Sequence, residues 1–227
     1  MSSILIVSDS AQAHGTEIGG RDIGSLDHMN CYSFYPSKSM TTAEGGIVTT
    51  NNKELYKLGC LIRSHGDDEK HHHVMLGLNY RMTEIAAVIG LNQLSELDDF
   101  LKRRRSFGKI LRTGIERMDG LHPQKIIGGV NHSYSHFTVV MDLDQFNCTR
   151  DEFLEALRAE NIASAVHYPT PLTKQPAILN LMKLETCLIS EETSRKIFSL
   201  PMHSRLTDEE LTKILAGVEK IVNHFHK

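Results

Sequence analysis

An acid and an amine in the first forty residues are the side chains with the clearest potential for covalent chemistry. Asp9 follows the apolar residues 4–7, and Lys38 follows a second strand-like segment at residues 31–35. A lysine amine can condense with a carbonyl carbon, and a carboxylate can keep a nearby nitrogen base protonated. Ligands in open α/β sheets bind at the carboxyl ends of the strands. If both segments lie in one sheet, the two side chains face a shared binding site.

Each of these residues also has an ordinary structural role when it is considered alone. An aspartate at the end of a strand commonly accepts hydrogen bonds from turn amides. A lysine in a serine-rich loop is usually solvated, and glycines such as Gly45 and Gly46 commonly supply positive φ angles. The combination, rather than any single residue, therefore points to chemistry.

The elements that must position these residues alternate between strands and helices, which predicts an α/β fold. Asn52 is predicted to cap a short helix, and Thr83 a long helix that continues to about residue 118. Capping boxes at Thr149 and Thr207 predict two further helices. The predicted strands and one hairpin cover residues 4–7 (buried and parallel), 17–25 (the hairpin), 31–35, 47–50, 136–143 and 162–168.

Six motifs together resemble the DegT/DnrJ/StrS family of fold-type-I aminotransferases, which depend on pyridoxal 5'-phosphate (PLP). They occur in the family's order and span nearly the whole chain. The motifs are residues 9–15 (DSAQAHG), 33–46 (SFYPSKSMTTAEGG), 63–66 (RSHG), 77–82 (GLNYRM), 167–169 (HYP) and 200–202 (LPM).

The resemblance implies a role for each matching position. Lys38 would form the Schiff base with PLP and carry protons, and Asp9 would pair with the pyridine nitrogen. Gln12 would contact the side of the ring that bears the phenolic oxygen. Ser33 would hold the phosphate, and Asn79 would reach the phosphate of a partner subunit. Four more positions would lie near the substrate: His14, His65, Arg81 and His167.

The resemblance also implies a reaction and its participants. Glutamate would supply an amino group and a keto-sugar nucleotide would accept it, as in the biosynthesis of amino sugars or surface polysaccharides. The expected assembly is a homodimer, or a complex with a partner chain. The expected architecture is the C-terminal part of a fold-type-I PLP transferase. A partial cofactor domain (residues 1–82) would be followed by a connecting helix (83–118) and a small α/β domain (119–227).

This sequence differs from the family pattern at its start, because members of the family extend well before the strand that ends at the aspartate. Three explanations stay open: a shortened enzyme, one half of a split enzyme, or an inactive or regulatory remnant of an aminotransferase. A half sheet is expected to expose apolar surface, which favours a partner.

Composition argues against several other classes of function. The net charge of -3 gives no electrostatic reason to bind nucleic acid or an anionic membrane, and the basic run at residues 102–105 is predicted to be a solvated helix face. The apolar run at residues 4–7 is too short for a signal peptide or a membrane span, so the cytoplasm is the expected location. The four cysteines form no CxxC pair, and the side chains of the adjacent His71, His72 and His73 point apart, so no metal site is predicted.

Overall fold

The computed structural model describes residues 4–26, 28–181 and 186–227 and contains two compact units. Unit 1 comprises Met1–Arg103 and Ile126–Ser135, and unit 2 comprises Arg104–Lys125 and His136–Lys227. The strands are β1 (Val7–Asp9), β2 (Glu17–Ile18), β3 (Arg21–Asp22), β4 (Met29–Ser33), β5 (Gly46–Thr49), β6 (Asp67–Glu69), β7 (His72–His73), β8 (Leu121–Pro123), β9 (Val130–Asn131), β10 (Phe137–Met141) and β11 (Ile197–Leu200). The α-helices are α1 (Lys53–Arg63), α2 (Glu84–Ile115), α3 (Arg150–Ala159), α4 (Pro176–Leu179), α5 (Leu188–Lys196) and α6 (Asp208–Phe225).

The central sheet of unit 1 has the strand order β1-β4-β5. Strands β1 and β4 are parallel, with Asp9 opposite Cys31, whereas β4 and β5 are antiparallel. Because β1 and β4 run in the same direction, Asp9 and Ser33 end neighbouring strands at the same edge of the sheet. The expectation that the acid and the lysine-bearing segment share one sheet is therefore confirmed.

The predicted buried strand at residues 4–7 is wrong in both position and burial. The strand begins at Val7, and the exposed fraction is 89% for Ile4 and 59% for Val7. The apolar run indicated burial, but no described element of unit 1 covers these side chains. The buried large apolar residues of unit 1, among those described, are Phe34, Met40, Leu101 and Tyr134.

Local signals in unit 1 place the hairpin and the helix starts as the sequence predicts, whereas the strands predicted at 31–35 and 47–50 lie at Met29–Ser33 and Gly46–Thr49. The hairpin β2–β3 turns at Gly19 and Gly20, whose φ angles of 59° and 77° suit glycine. The side chain of Asn52 accepts hydrogen bonds from the amides of Glu54 and Leu55, the second and third residues of helix α1. The hydroxyl of Thr83 accepts from the Ala86 amide at 3.2 Å, at the start of α2.

Unit 2 is an antiparallel sheet of order β11-β10-β8 with α3 and α6 packed together. Strand β10 buries alternate side chains, and α6 buries a helical stripe. Both predicted capping boxes are present. The amide of Thr149 donates to Glu152 Oε2 at 2.7 Å, and the amide of Thr207 donates to Glu210 Oε2 at 2.8 Å.

Two expectations for residues of unit 2 are wrong. The segment 162–168 is not a strand, since only Ala165 pairs, with Ser199 of β11. In the basic run, Arg104 is 5% exposed rather than solvated, and its Nη1 donates to the Met202 carbonyl at 3.1 Å. None of the described helices combines the length and the apolar character needed to cross a membrane.

The two units divide the chain differently from the domain limits expected from the sequence. Helix α2 contributes residues to both units. The segment Ile126–Ser135 belongs to unit 1 because β9 pairs with β2, with Glu17 opposite Asn131. The predicted limits at residues 82 and 118 therefore stay a proposal.

Candidate functional site

The carboxyl edge of the β1–β4 pair brings together the residues most suited to chemistry. The amide of Ser10 donates to the Cys31 carbonyl at 2.9 Å, which fixes the end of β1 against β4. The Asp9 carboxylate is exposed and accepts one hydrogen bond, from the Ala11 amide at 3.1 Å. A carboxylate has more acceptor positions than this one bond uses. Asp9 can therefore accept a further donor from a ligand.

The loop that follows β4 carries Lys38 and is closed by backbone hydrogen bonds at both ends. The Phe34 amide donates to the Gly45 carbonyl at 2.9 Å, and the Thr42 amide donates to the Phe34 carbonyl at 3.1 Å. Within the loop, the Lys38 amide donates to the Tyr35 carbonyl at 2.9 Å. Lys38 is half-buried, on a loop that starts directly after Ser33. The backbone of Lys38 is therefore held within a loop that starts at the end of β4.

Ser33 and Gln12 have different surroundings at this edge. The Ser33 hydroxyl oxygen accepts from the Tyr35 amide at 3.3 Å, which leaves its O–H free to donate to an anion. Gln12 is exposed in the turn after β1. Both lie in segments that leave the same edge of the sheet, as the resemblance implies.

His14 lies inside unit 1 rather than on its surface. It is 4% exposed, and its ring centroid lies 5.2 Å from that of Tyr32 and 5.9 Å from that of Phe34. Burial and the charge of Asp22 raise the pKa of Tyr32, and a hydrogen bond with Ser10 acts in the opposite direction. The expected place of His14 beside a substrate stays a prediction.

Three more predicted residues meet at a second place in unit 1. Arg81 Nε donates to Asn79 Oδ1 at 3.1 Å, and Arg81 Nη2 lies 3.4 Å from His65 Nε2. A backbone bridge between Ser64 and Asn79 aligns the two segments. The sequence placed these residues in two separate motifs, and the fold joins them.

His167 belongs to unit 2, where it is exposed and lies 4.6 Å from the ring of His136, measured between centroids. Together with Tyr168 and Leu172 it lines an open cavity of about 1180 Å³. Its expected place near the substrate stays a prediction.

Nearly the full length of the chain matches a known family. The sequence pattern of the DegT/DnrJ/EryC1/StrS aminotransferase family covers residues 1–219 of the 227. The chain belongs to this family. The resemblance drawn from the six motifs is thereby confirmed.

Relatives and solved structures of the family agree with this assignment. UDP-N-acetyl-3-dehydro-α-D-glucosamine 3-aminotransferase of Acidithiobacillus ferrooxidans is 32% identical over 224 residues, which are 97% of this chain and 58% of the relative. The crystal structure of S. venezuelae DesV is 29% identical with a TM-score of 0.89, and the match covers 96% of this chain and 58% of DesV. The PLP form of the putative sugar aminotransferase Spr1654 of Streptococcus pneumoniae is 28% identical with a TM-score of 0.83, covering 97% and 58%. The α/β fold expected for part of a family member is confirmed, and the chain spans about 58% of the length of these proteins.

The residues at the β1–β4 edge fit the cofactor of this family by their donor set. PLP needs an amine for its aldehyde, an acid for its pyridine nitrogen and donors for its phosphate. Asp9 and Ser33 lie at one sheet edge and each has bonding capacity left after its contacts within the chain, and Lys38 is on the loop that leaves this edge.

One buried polar residue in this region was missed from the sequence. Asn30 lies in the middle of β4 with no exposed surface, and neither its Oδ1 nor its Nδ2 has a hydrogen-bond partner among the described residues. Its position between Met29 and Cys31 in a strand was the available signal, because alternate side chains of a central strand are buried. Asn30 pairs with Thr49 of β5 through the backbone register.

The three adjacent histidines form part of a short hairpin. His72 and His73 make up β7, which pairs with β6. His72 Nδ1 lies 2.6 Å from Asp68 Oδ1, and His73 Nδ1 contacts Asp67 Oδ1. Within the described part of the chain, no group of three or more potential ligands is arranged to hold a metal ion.

Proposed function

We propose that this protein transfers an amino group from glutamate to a keto-sugar nucleotide with PLP as cofactor, in the biosynthesis of amino sugars or surface polysaccharides. The observation that carries the proposal is the parallel pairing of β1 with β4, which puts Asp9 and the Lys38 loop at one edge of the sheet. Membership of an aminotransferase family and the PLP form of one structural neighbour support it.

Each side chain at this edge has a separate role in the proposed reaction. PLP, when bound, supplies an aldehyde that reacts with amines and a ring that accepts electrons. The Lys38 amine would hold the cofactor through its aldehyde and would move a proton at the reacting carbon. The Asp9 carboxylate would keep a proton on the ring nitrogen, because a nearby negative charge favours the protonated base. The Ser33 hydroxyl would donate to the phosphate.

An absorbance titration tests the cofactor assignment directly. PLP added to the purified chain is expected to give a visible absorbance band, and the Lys38→Ala variant is expected to lack it. Lys53→Ala, which removes an exposed lysine at the start of α1, is the matched control and is expected to keep the band. An identical spectrum for the parent chain and Lys38→Ala would contradict the assignment.

The distribution of apolar side chains supports a partner for unit 1. Unit 2 buries large side chains such as Phe137, Phe153 and Phe198 completely, whereas unit 1 exposes Ile47 by 49% and Val48 by 53% on an outer strand. Exposed apolar strands of this kind favour association. We expect a homodimer, or a complex with a second chain that completes the cofactor domain, located in the cytoplasm.

Sedimentation velocity and a turnover assay separate the remaining possibilities. A homodimer with turnover on glutamate and a keto-sugar nucleotide supports an enzyme that acts without further chains. Turnover that appears only after a second polypeptide is added supports a split enzyme. A chain that neither binds PLP nor turns over is an inactive or regulatory remnant, and that result would refute the proposed activity.

A further inference from the structure

Tyr32 and Ser10 carry two hydrogen-bonded hydroxyl groups inside unit 1, next to the end of strand β1. Their side chains share a hydrogen bond, and the Ser10 hydroxyl oxygen also lies 3.0 Å from that of Ser8. Ser10 is 1% exposed and Tyr32 is half-buried. A buried hydroxyl costs free energy unless it forms a hydrogen bond, so the two side chains hold each other in place.

Ser10 is fixed by its backbone as well as by its side chain. Its amide donates to the Cys31 carbonyl at 2.9 Å, and its carbonyl accepts from the Ala13 amide at 2.9 Å. The preceding residue, Asp9, has an exposed carboxylate that accepts from the Ala11 amide at 3.1 Å. Because this amide belongs to the turn that Ser10 begins, the position of Ser10 determines the direction of the Asp9 carboxylate.

Tyr32 and Asp9 lie on opposite faces of the central sheet. Asp9 is opposite Cys31 in the parallel register of β1 and β4, and successive side chains of a strand point to opposite faces. Tyr32, the residue after Cys31, therefore points away from the face of Asp9. A ligand bound by the Asp9 carboxylate would not contact the Tyr32 ring, so an effect of Tyr32 on binding must pass through the residues between them.

The neighbours of Tyr32 fix the position of its side chain. The ring centroid of His14 lies 5.2 Å from that of Tyr32. At the other end of the side chain, Tyr32 Oη lies 2.9 Å from the place that a Cβ of Gly24 would occupy, so Gly24 leaves the room that the hydroxyl needs. Burial and the negative charge of Asp22 raise the pKa of Tyr32, and the hydroxyl therefore keeps its proton at neutral pH.

We propose that Tyr32 is a positioning residue that acts through Ser10 to hold the Asp9 carboxylate in the direction needed to bind the cofactor. The proposal rests on the proposed function, because it takes the ring nitrogen of PLP as the ligand of Asp9. The benefit is preorganisation, since a carboxylate that is already oriented loses less conformational freedom on binding. A tyrosine that only filled the core would act through its ring, and phenylalanine would replace it without effect.

Amide hydrogen exchange of the purified chain without PLP tests the effect on the turn. Tyr32→Phe keeps the ring and removes the hydroxyl, and it should make the Ser10 and Ala13 amides exchange about fivefold faster, because the turn opens more easily. The Leu78 amide, which donates to the Ile62 carbonyl at 2.8 Å, is the reference within unit 1 and should keep its parental rate. Equal acceleration of all three amides, or none at the turn, would overturn the proposal.

The absorbance titration with PLP tests whether the position of Asp9 depends on Tyr32. Tyr32→Phe should weaken PLP binding about two- to tenfold, the range that one neutral hydrogen bond contributes. In the Asp9→Asn background the same substitution should have no further effect on the affinity, because the hydroxyl acts through the Asp9 carboxylate. An equal loss in both backgrounds would be a general structural effect and would contradict the proposal.

Substitutions of Ser10 and Gly24 perturb the same contact from other directions. Ser10→Ala removes the partner of the Tyr32 hydroxyl, and Gly24→Ala places a methyl group against it. Each substitution alone should weaken PLP binding about two- to tenfold, and neither should weaken it further in the Tyr32→Phe background, because the contact is then already lost. Additive losses would mean that the three residues act separately, which would refute the proposal.

Tyr56→Phe is the matched control, because it removes the hydroxyl of a tyrosine that is 65% exposed on α1 in the same unit. Its PLP affinity and its amide exchange should equal those of the parent. The exchange experiment contains no PLP, so the two proposals can fail separately. A parent chain that does not bind PLP would contradict the proposed function, whereas parental PLP affinity in Tyr32→Phe would contradict only the positioning role.

Discussion

Replacement of Asn30 by leucine should make the central sheet of unit 1 more stable. Asn30 has no exposed surface, and neither atom of its amide has a partner among the described residues. A buried amide without hydrogen bonds costs about 1–3 kcal/mol in proteins. Leucine has nearly the same shape and no polar atom, so the Asn30→Leu variant removes this cost. The expected gain in the free energy of local unfolding is thus about 1–3 kcal/mol.

Hydrogen exchange of the β4 amides is the appropriate assay, because it reports this sheet without contributions from unit 2. A gain of that size corresponds to a protection factor that rises about 5- to 150-fold. The Asn30→Asp variant is the control of opposite sign, because it places an ionisable group at the same buried position. Faster exchange of β4 amides in Asn30→Leu than in the parent would refute the reasoning, since it would mean that the amide is hydrogen-bonded in solution.

Three further predictions concern the cofactor edge, the helix caps and the cysteines. Asp9→Asn should lower the affinity for PLP about 10- to 100-fold in the absorbance titration, because a hydrogen bond to a charged group contributes roughly 1.5–3 kcal/mol. An unchanged affinity would show that Asp9 does not contact the cofactor. The Thr207 amide and hydroxyl donate to Glu210 and lower the pKa of its carboxyl. The stability that the ionised Glu210 carboxylate contributes is therefore present near neutral pH, and it is lost as the pH falls below about 4. Glu210→Gln should therefore lower the midpoint of urea unfolding at pH 7 and have little effect on it at pH 3. Equal effects at both pH values would contradict a stabilising role for the Glu210 carboxylate. Burial raises the pKa of Cys148 to about 11, whereas Cys187 is exposed. Iodoacetamide at pH 8 should therefore label Cys187 before Cys148, as followed by mass spectrometry. Faster labelling of Cys148 would contradict this prediction.

Features that depend on neighbours within a few residues could be predicted from the sequence alone. The capping boxes at Thr149 and Thr207 are local, since each joins a hydroxyl and a carboxylate three residues apart. The long helix after Thr83 is predicted by its periodicity, and the structure has it as Glu84–Ile115. Membership of the aminotransferase family also follows from motifs that are read directly from the chain.

Features that depend on distant partners were decided only by the tertiary structure. Residues 162–168 have the composition of a strand, but only Ala165 finds a backbone partner. The apolar run that ends at Val7 predicted burial, yet it is exposed because burial requires a second surface that composition does not specify. Arg104 shows the reverse, since its charge predicted solvent and the fold provides the Met202 carbonyl.

The candidate site shows the same division. The sequence determined which side chains are present, with an amine at Lys38 and an acid at Asp9. The parallel register of β1 and β4 brought their segments to one sheet edge, and a backbone bridge brought His65 to Arg81. Side-chain chemistry is a property of each residue, whereas proximity between distant residues follows from backbone hydrogen bonds that form only when the chain folds.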